Sequence, residues 1–184
     1  MYKLTGGNAF LDVNLILTKA GIEEKMIVAD LGCGSTGHFV FPTAQIIGGK
    51  GKVFAVDIMK TSLEVVNRRV KQENILNVKP VWSNLEIFGA TDIEANMLDI
   101  ALLINTLYQS KKRVEIIREA NRMLKKGGKL VIVEWKNAAL PFGPPIEERV
   151  KIDQLKKGVQ KLGLKLEEEF FAGQFHYGLI FIKI

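Results

Sequence analysis

The sequence predicts an α/β fold: a doubly wound, mostly parallel sheet with one antiparallel strand near an edge. Three observations predict it. Short apolar, β-branched runs alternate with stretches of helical period along most of the chain. Several of those runs, such as Ile100–Ile104 and Leu130–Val133, are continuously apolar, as strands covered on both faces must be. Near the end, two strand-like runs are joined around Gly173 by a connection too short for a crossover, which requires an antiparallel pair.

The elements follow in order. Ala9–Ala20 has the period of an amphipathic helix. Met26–Leu31 is a first strand, Phe39–Ile47 a helix, and Lys52–Val56 a second strand. Pro42 falls within the first turns of that helix, the one place a helix tolerates it. Ser62–Glu73 is helical, followed by strands at Val78–Trp82 and Leu98–Ile104. Val114–Leu124 is helical and Lys129–Glu134 a buried strand. Ile146–Leu162 is predicted as a helix entered through a Pro-Phe-Gly-Pro-Pro loop, with Pro145 at its first turn. Leu164–Phe171 and Phe175–Ile182 form the closing antiparallel pair.

With 184 residues, 47% of them hydrophobic and 25% charged, the composition is that of a globular chain, here expected to be one domain over residues 1–184. Cys33 is the sole cysteine, so neither an internal disulfide nor a multi-cysteine metal site is available, and no metal is expected. No apolar run is long enough to span a membrane, and the N-terminus lacks a secretory pattern, which together suggest a cytoplasmic protein. The formal charge of +6 invites a nucleic-acid partner, but the lysines are dispersed and many alternate with acids, so nucleic acid is disfavoured. The densest basic run, Lys111-Lys112-Arg113, stands at a helix start, where the dipole disfavours it. The oligomeric state is not legible.

The chemistry-bearing segment is Val28-Ala29-Asp30-Leu31-Gly32-Cys33-Gly34-Ser35-Thr36-Gly37, which ends a strand and opens a helix. Its glycines permit positive φ and close approach of backbone to a ligand, and the N–H groups of the helix start favour electron-rich ligand atoms. Nicotinamide enzymes use such a turn too. Asp30 discriminates: a carboxylate there repels a pyrophosphate but suits a ligand carrying an ammonium and a sulfonium. Asp57, followed by Ile58 at the end of the second strand, can accept both hydroxyls of a ribose. It can equally serve the start of the next helix as a cap. After the third strand, Ser83-Asn84-Leu85 offers an amide able to pair with an adenine edge, or else a plain loop asparagine. Cys33, inside the glycine turn, reads as a small packing residue.

These segments, with Leu98–Gln109 and Ala120–Lys136, resemble the class I S-adenosylmethionine (SAM)-dependent methyltransferases, and within them the small ubiquinone/menaquinone-biosynthesis type. The resemblance runs from about Asn8 to the end. It implies a Rossmann-like seven-stranded sheet of order 3-2-1-4-5-7-6 with strand seven antiparallel. It implies SAM as cofactor and S-adenosylhomocysteine as product, with Asp30, Gly32, Cys33, Gly34, Asp57, Ile58, Ser83, Asn84, Leu85 and Asn105 forming the cofactor site. Two positions depart from the family pattern: its third glycine falls at Thr36, with Gly37 one place later, and Asn84 stands where an aspartate is commoner.

The expected activity is transfer of the SAM methyl group to an oxygen, nitrogen or carbon of a small-molecule acceptor by in-line displacement. An RNA-directed methyltransferase and a SAM-binding module without turnover are the alternatives. No Asn/Asp-Pro-Pro-aromatic tetrapeptide follows strand four, which argues against amino-directed DNA or glutamine methylation. A single cysteine in the glycine turn suits neither cytosine-C5 nor arsenic chemistry. Glu134 and Trp135 end strand five, and Tyr108 and Gln109 follow strand four, where loops face the ligand crevice. Strand seven starts at that same edge, so His176 and Tyr177 begin near the site, pointing to opposite faces. They are the candidate catalytic residues. His176 has the side chain best able to take a proton near neutral pH, with His38 its only rival.

Overall fold

The computed structural model describes residues 10–138, 140 and 142–184. Helix α1 (Val13–Ala20) is opened by Asp12, whose carboxylate accepts the Leu15 N–H, and is stopped by Gly21 in the left-handed conformation. Strands β1 (Ile27–Leu31), β2 (Lys52–Asp57), β3 (Val78–Trp82), β4 (Leu98–Ile104) and β5 (Leu124–Trp135) run parallel. Strands β6 (Leu164–Phe171) and β7 (His176–Lys183) complete one seven-stranded sheet of order β3-β2-β1-β4-β5-β7-β6. β7 is antiparallel to both of its neighbours. Fold class, strand order and the direction of the last strand are as the sequence predicts.

Helices α2 (Val40–Ile47), α3 (Lys60–Gln72), α4 (Arg113–Met123) and α5 (Ile152–Gln160) join α1 in covering the sheet. Alternating strand residues feed two cores. On one face Ile16, Leu17, Phe39, Ile47 and Val66 pack with Val28, Ile100, Leu102, Val131 and Ile180. On the other, Ile116, Ile117, Met123, Leu155 and Val159 pack with Ala29, Leu31, Leu103, Ile132 and Phe181. Leu102 and Leu103 are adjacent, fully buried, and belong to opposite cores. Central strands of this kind hold the sheet rigid; truncating either leucine to alanine costs about 2–5 kcal/mol.

The boundaries correct the sequence in three places. The last helix begins at Ile152, not Ile146. The intervening residues are turned because Arg149 points inward, where its guanidinium, only 4% exposed, donates to the carbonyls of Lys136, Ala138, Phe142 and Pro144. A helix from Ile146 would carry that side chain away from those carbonyls. Strand β5 begins at Leu124, because Leu124 pairs with Leu98 across an irregularity before the regular ladder resumes at Lys129. Helix α1 begins at Val13; Ala9, where the periodicity starts, lies outside the described residues.

The basic run before α4 also finds a reason. Arg113 folds back to donate to the carbonyls of Leu107 and Ser110 and across to that of Glu148. Its charge satisfies loop carbonyls instead of opposing the helix dipole, and Glu115 supplies the acid in the first turn.

Candidate active site

Parallel strands β1, β2, β3 and β4 bring their C-terminal ends to one edge, and the loops leaving them enclose a cavity of about 330 Å³. That volume is at the lower end of small-molecule sites, roughly 300–1,000 Å³. Each wall has a local cause.

The glycine turn leaves β1 and bends back over β2. The N–H groups of Gly32 and Cys33 both donate to the carbonyl of Val56, at 2.8 and 3.0 Å. Gly32 has φ +95°, and a Cβ placed on it would lie 2.6 Å from Thr106 Oγ1. The turn therefore presses against the loop after β4, and only glycine fits. The shifted third glycine also has a function: Gly37 has φ +56° and lies against the Phe41 ring, closing the turn as α2 begins.

Asp57 ends β2 and is the polar hub. Its Oδ2 accepts the Gly34 N–H at 2.9 Å and its Oδ1 accepts the Met59 N–H at 2.8 Å. The side chain thus locks the glycine turn to the entry of α3. A carboxylate has about four lone-pair directions, so two remain for a diol facing the cavity. The capping reading and the ligand reading of Asp57 are therefore compatible.

Beyond β3, Asn84 Oδ1 accepts the Glu86 N–H at 3.0 Å, folding the loop into an Asx turn. The Ser83 hydroxyl meets Thr91 Oγ1 at 2.9 Å. Leu85 supplies an apolar wall, and Glu86 is held by the Ser110 hydroxyl at 2.7 Å.

Of the ten positions expected to form the cofactor site, Gly32, Gly34, Asp57, Ile58, Ser83, Asn84 and Leu85 line the cavity. Asp30, Cys33 and Asn105 do not. Asp30 is fully buried one residue before the end of β1, and its carboxyl is pushed up to about 7 by burial and then by the negative Asp57. The Cys33 thiol belongs to the apolar core and is pushed far up by burial, with Asp30 and Asp57 adding to it, which fits packing and not nucleophilic chemistry. Asn105 adopts φ +53° and is buried, its N–H donating to the Val133 carbonyl at 2.8 Å.

Thr106, Gln109 and Ser110 also line the cavity, and of these the sequence singles out Gln109 alone. Their signal was position: all three follow a buried strand at the edge where ligands bind. Thr106 Oγ1 donates to the Leu31 carbonyl at 3.0 Å, joining this loop to the glycine turn.

His176 and Tyr177 lie outside the cavity lining. They point to opposite faces, as alternation requires. The Tyr177 hydroxyl donates to the Val150 carbonyl at 2.9 Å, and burial pushes its pKa up. His176 is fully buried, 4.2 Å from the Trp135 ring, and burial, with Lys136 and Arg149 nearby, holds its imidazole down at about 4. Its two ring nitrogens and Trp135 Nε1 have no hydrogen-bond partner among the described residues. Among the described residues no helix is long and apolar enough to cross a membrane.

Comparison with known proteins now bears on the geometry. Residues 22–171 match the family model described as a methyltransferase domain. A demethylmenaquinone methyltransferase of Lactococcus lactis is 28% identical over 62% of this chain and 44% of its own length. A ubiquinone/menaquinone biosynthesis C-methyltransferase of a Shewanella species is 32% identical over 63% of this chain and 45% of its own. The chain thus spans less than half the length of these curated relatives. Among solved structures, a SAM-dependent methyltransferase from Aquifex aeolicus superposes with a TM-score of 0.87 at 22% identity, covering 96% of this chain and 92% of that one. A type 11 methyltransferase from Sulfolobus solfataricus gives 0.77 at 21% identity, covering 95% and 93%. At these identities the structural likeness establishes the fold, and the family match spans most of the chain: this protein belongs to the methyltransferase-domain family and carries the fold of the SAM-dependent methyltransferases.

Proposed function

We propose that this chain is an enzyme that binds SAM in the cavity beside Asp57 and moves its methyl group to a small-molecule acceptor. The observation that carries the reading is the joint between the glycine turn and Asp57, in the lining of a cavity that the Asn84–Glu86 loop also lines. A ligand with a diol between an amino-acid end and a flat ring end matches that sequence of groups. When bound, SAM supplies a methyl group on a sulfonium, an electrophile that needs no further activation.

The chain's own residues then bind and align. Asp57 accepts the ribose hydroxyls on its remaining lone pairs, while the backbone around Gly32 and Gly34 approaches closely because no Cβ intervenes. Asp30, ionised, favours the cationic end of the ligand, and a bound cation in turn favours its ionised form. The residues around Asp57 and the glycine turn would hold SAM so that its methyl group could be offered in line to the acceptor. Positioning and exclusion of water supply much of the rate. His176 is the residue proposed to orient the acceptor or take its proton. Two observations support it: burial holds the imidazole down at about 4, so it is neutral at physiological pH, and its ring nitrogens have no partner among the described residues. Because the ring is buried, an acceptor reaches it only if neighbouring aromatic side chains move. Tyr177 is not carried forward, since its hydroxyl is committed to Val150 on the other face.

A small-molecule acceptor is supported by the names of the relatives, all quinone-pathway methyltransferases. The test is calorimetry with SAM, S-adenosylhomocysteine and NAD, followed by transfer of labelled methyl from SAM into small-molecule extracts and total RNA in parallel. Micromolar SAM binding, no NAD binding and label in small molecules are expected. Label in RNA would replace the acceptor class. Binding without any transfer would leave a SAM-binding module.

A further inference from the structure

Behind the cofactor cavity lies a buried carboxylate that the reading above does not use. Glu134, the penultimate residue of β5, is completely inaccessible. Its Oε1 accepts the Leu107 N–H at 2.6 Å, and the N–H groups of Tyr108 and Thr106 also favour its ionised form. These three residues form the turn after β4, whose short 3-10 segment spans Leu107–Gln109. The other oxygen, Oε2, is buried with no hydrogen-bond partner among the described residues. A carboxylate is costly to bury, and one aimed at successive backbone amides does a job that an apolar residue there would not.

The job is visible one step further along. Thr106 lines the cavity, donates to the Leu31 carbonyl, and stands so close to Gly32 that a single added methyl would collide with it. Gln109 and Ser110, from the same turn, line the cavity as well, and Gln109 Nε2 donates back to the Asn105 carbonyl at 2.7 Å. The position of the turn therefore fixes both the cavity wall and the seat of the glycine turn.

We propose that Glu134 is a positioning residue for SAM binding: its ionised carboxylate draws in the Thr106–Tyr108 amides and so sets the wall that faces the cofactor. The proposal rests on the SAM reading for its ligand and on the hydrogen bonds alone for its geometry. The surroundings make the grip dependent on pH. Burial, the largest influence, pushes the carboxyl up to about 8, against the backbone N–H groups and Arg113, which pull it down. Arg113 faces it from α4; Tyr108, in the turn, and Tyr177, its register partner on β7, are the other titratable groups, both held protonated with pKa values pushed up. Glu148 approaches Tyr108. As pH rises through about 8 the carboxyl loses its proton, accepts the amides more strongly, and the wall tightens.

Two measurements test this. In the free protein, the amide proton shifts of Thr106, Leu107 and Tyr108 are followed by NMR from pH 6 to 9.5. In parallel, S-adenosylhomocysteine affinity is measured by calorimetry for the wild type and for Glu134→Gln, which keeps shape but cannot ionise. Comparing the two proteins at each pH cancels the ligand's own titration. The expected result is a shared step in the three amides, absent in Glu134→Gln, and an affinity deficit of the variant that grows to roughly ten-fold on the alkaline side. Asp30 titrates lower, near 7, and its step should persist in both proteins. Amides that titrate identically in both proteins, or a variant that binds as the wild type does at every pH, overturn the assignment. If Glu134→Gln fails to fold, the wild-type amide titration still decides: no step in those amides refutes the proposal. If neither protein binds the ligand, the SAM reading fails, while the amide titration continues to report on Glu134.

Discussion

Gly32→Ala is the most direct perturbation of the site's architecture, and its cost divides into two parts that can be measured separately. The first is backbone strain. Gly32 sits at φ +95°, where an L-residue costs on the order of 1–3 kcal/mol. The second is collision: the new Cβ would lie 2.6 Å from Thr106 Oγ1 and 2.9 Å from its Cγ2. Thr106 cannot rotate freely to escape, because its hydroxyl is bonded to the Leu31 carbonyl and β-branched side chains have few rotamers. Overpacking of this kind costs about 1–3 kcal/mol, so the variant should lose roughly 2–6 kcal/mol in all. Thr106→Ala alone should cost about 1 kcal/mol, the worth of its hydrogen bond. In the double variant the nearest contact becomes Thr106 Cβ at 3.4 Å, which is tolerable. The pair should then couple favourably by about 1–3 kcal/mol, while the strain remains. Urea unfolding of all four proteins measures the cycle. A Gly32→Ala protein within 0.5 kcal/mol of wild type, or a cycle with no coupling, refutes the argument that Thr106 is what requires a glycine there.

Three further outcomes are expected. Asp57→Ala, provided the protein folds, should weaken SAM binding by about 1.5–3 kcal/mol, read by calorimetry; unchanged affinity removes Asp57 from the cofactor site. Because the Asp30 pKa in the folded state is raised from 3.8 to about 7, its protonated form stabilises the fold fully below pH 3.8, and that contribution is lost as pH rises to about 7. Across this window Asp30 should withdraw on the order of 4 kcal/mol, and ligand-free Asp30→Asn should unfold with a flatter pH dependence; identical slopes would count against a buried, uncompensated carboxyl. His176→Ala should lower turnover about 10²-fold with the true acceptor while leaving SAM affinity intact, and normal turnover would return the residue to a packing role.

How much of this was legible in the sequence depends on which interactions are local. Continuous apolar strands and a glycine turn are written in consecutive residues, so the sheet and the Gly32–Gly34, Asp57 and Ser83–Leu85 walls could be read directly. The last helix could not. Ile146–Val150 has helical composition, yet Arg149 turns inward to carbonyls contributed by residues as far back as Lys136. A buried guanidinium serving loop carbonyls has the same one-letter appearance as a solvated arginine on a helix. Arg113 misled in the mirror sense: its place in a basic run suggested a charge opposed to a helix dipole, but its partners are the carbonyls of Leu107, Ser110 and Glu148. Both arginines stabilise loops at the C-terminal edge of the sheet, and neither role has a periodicity. Thr106 escapes for the same reason, and Glu134, which the sequence offers as a pocket residue, lies outside the cavity lining and serves the Leu107 amide instead.

That edge carries an arrangement that explains why its polar residues are buried at all. Asp30, Asp57 and Glu134 stand at or next to the ends of β1, β2 and β5, and all three are at most 9% exposed. Placed in a core, unpaired carboxylates cost several kcal/mol and would be replaced by apolar residues without loss of fold. Asp57 and Glu134 each border a chain reversal and take up loop amides there. Asp57 takes the amides of Gly34 and Met59, and Glu134 takes that of Leu107. The two side chains thus serve loop amides at the sheet edge, Asp57 from the cavity wall and Glu134 from outside its lining. The negative Asp57 raises Asp30 further once burial has raised it. Burial pushes Asp30 up to about 7 and Glu134 up to about 8, so the charge of these two groups is set by pH and hidden from the surface of a chain whose net charge is +6.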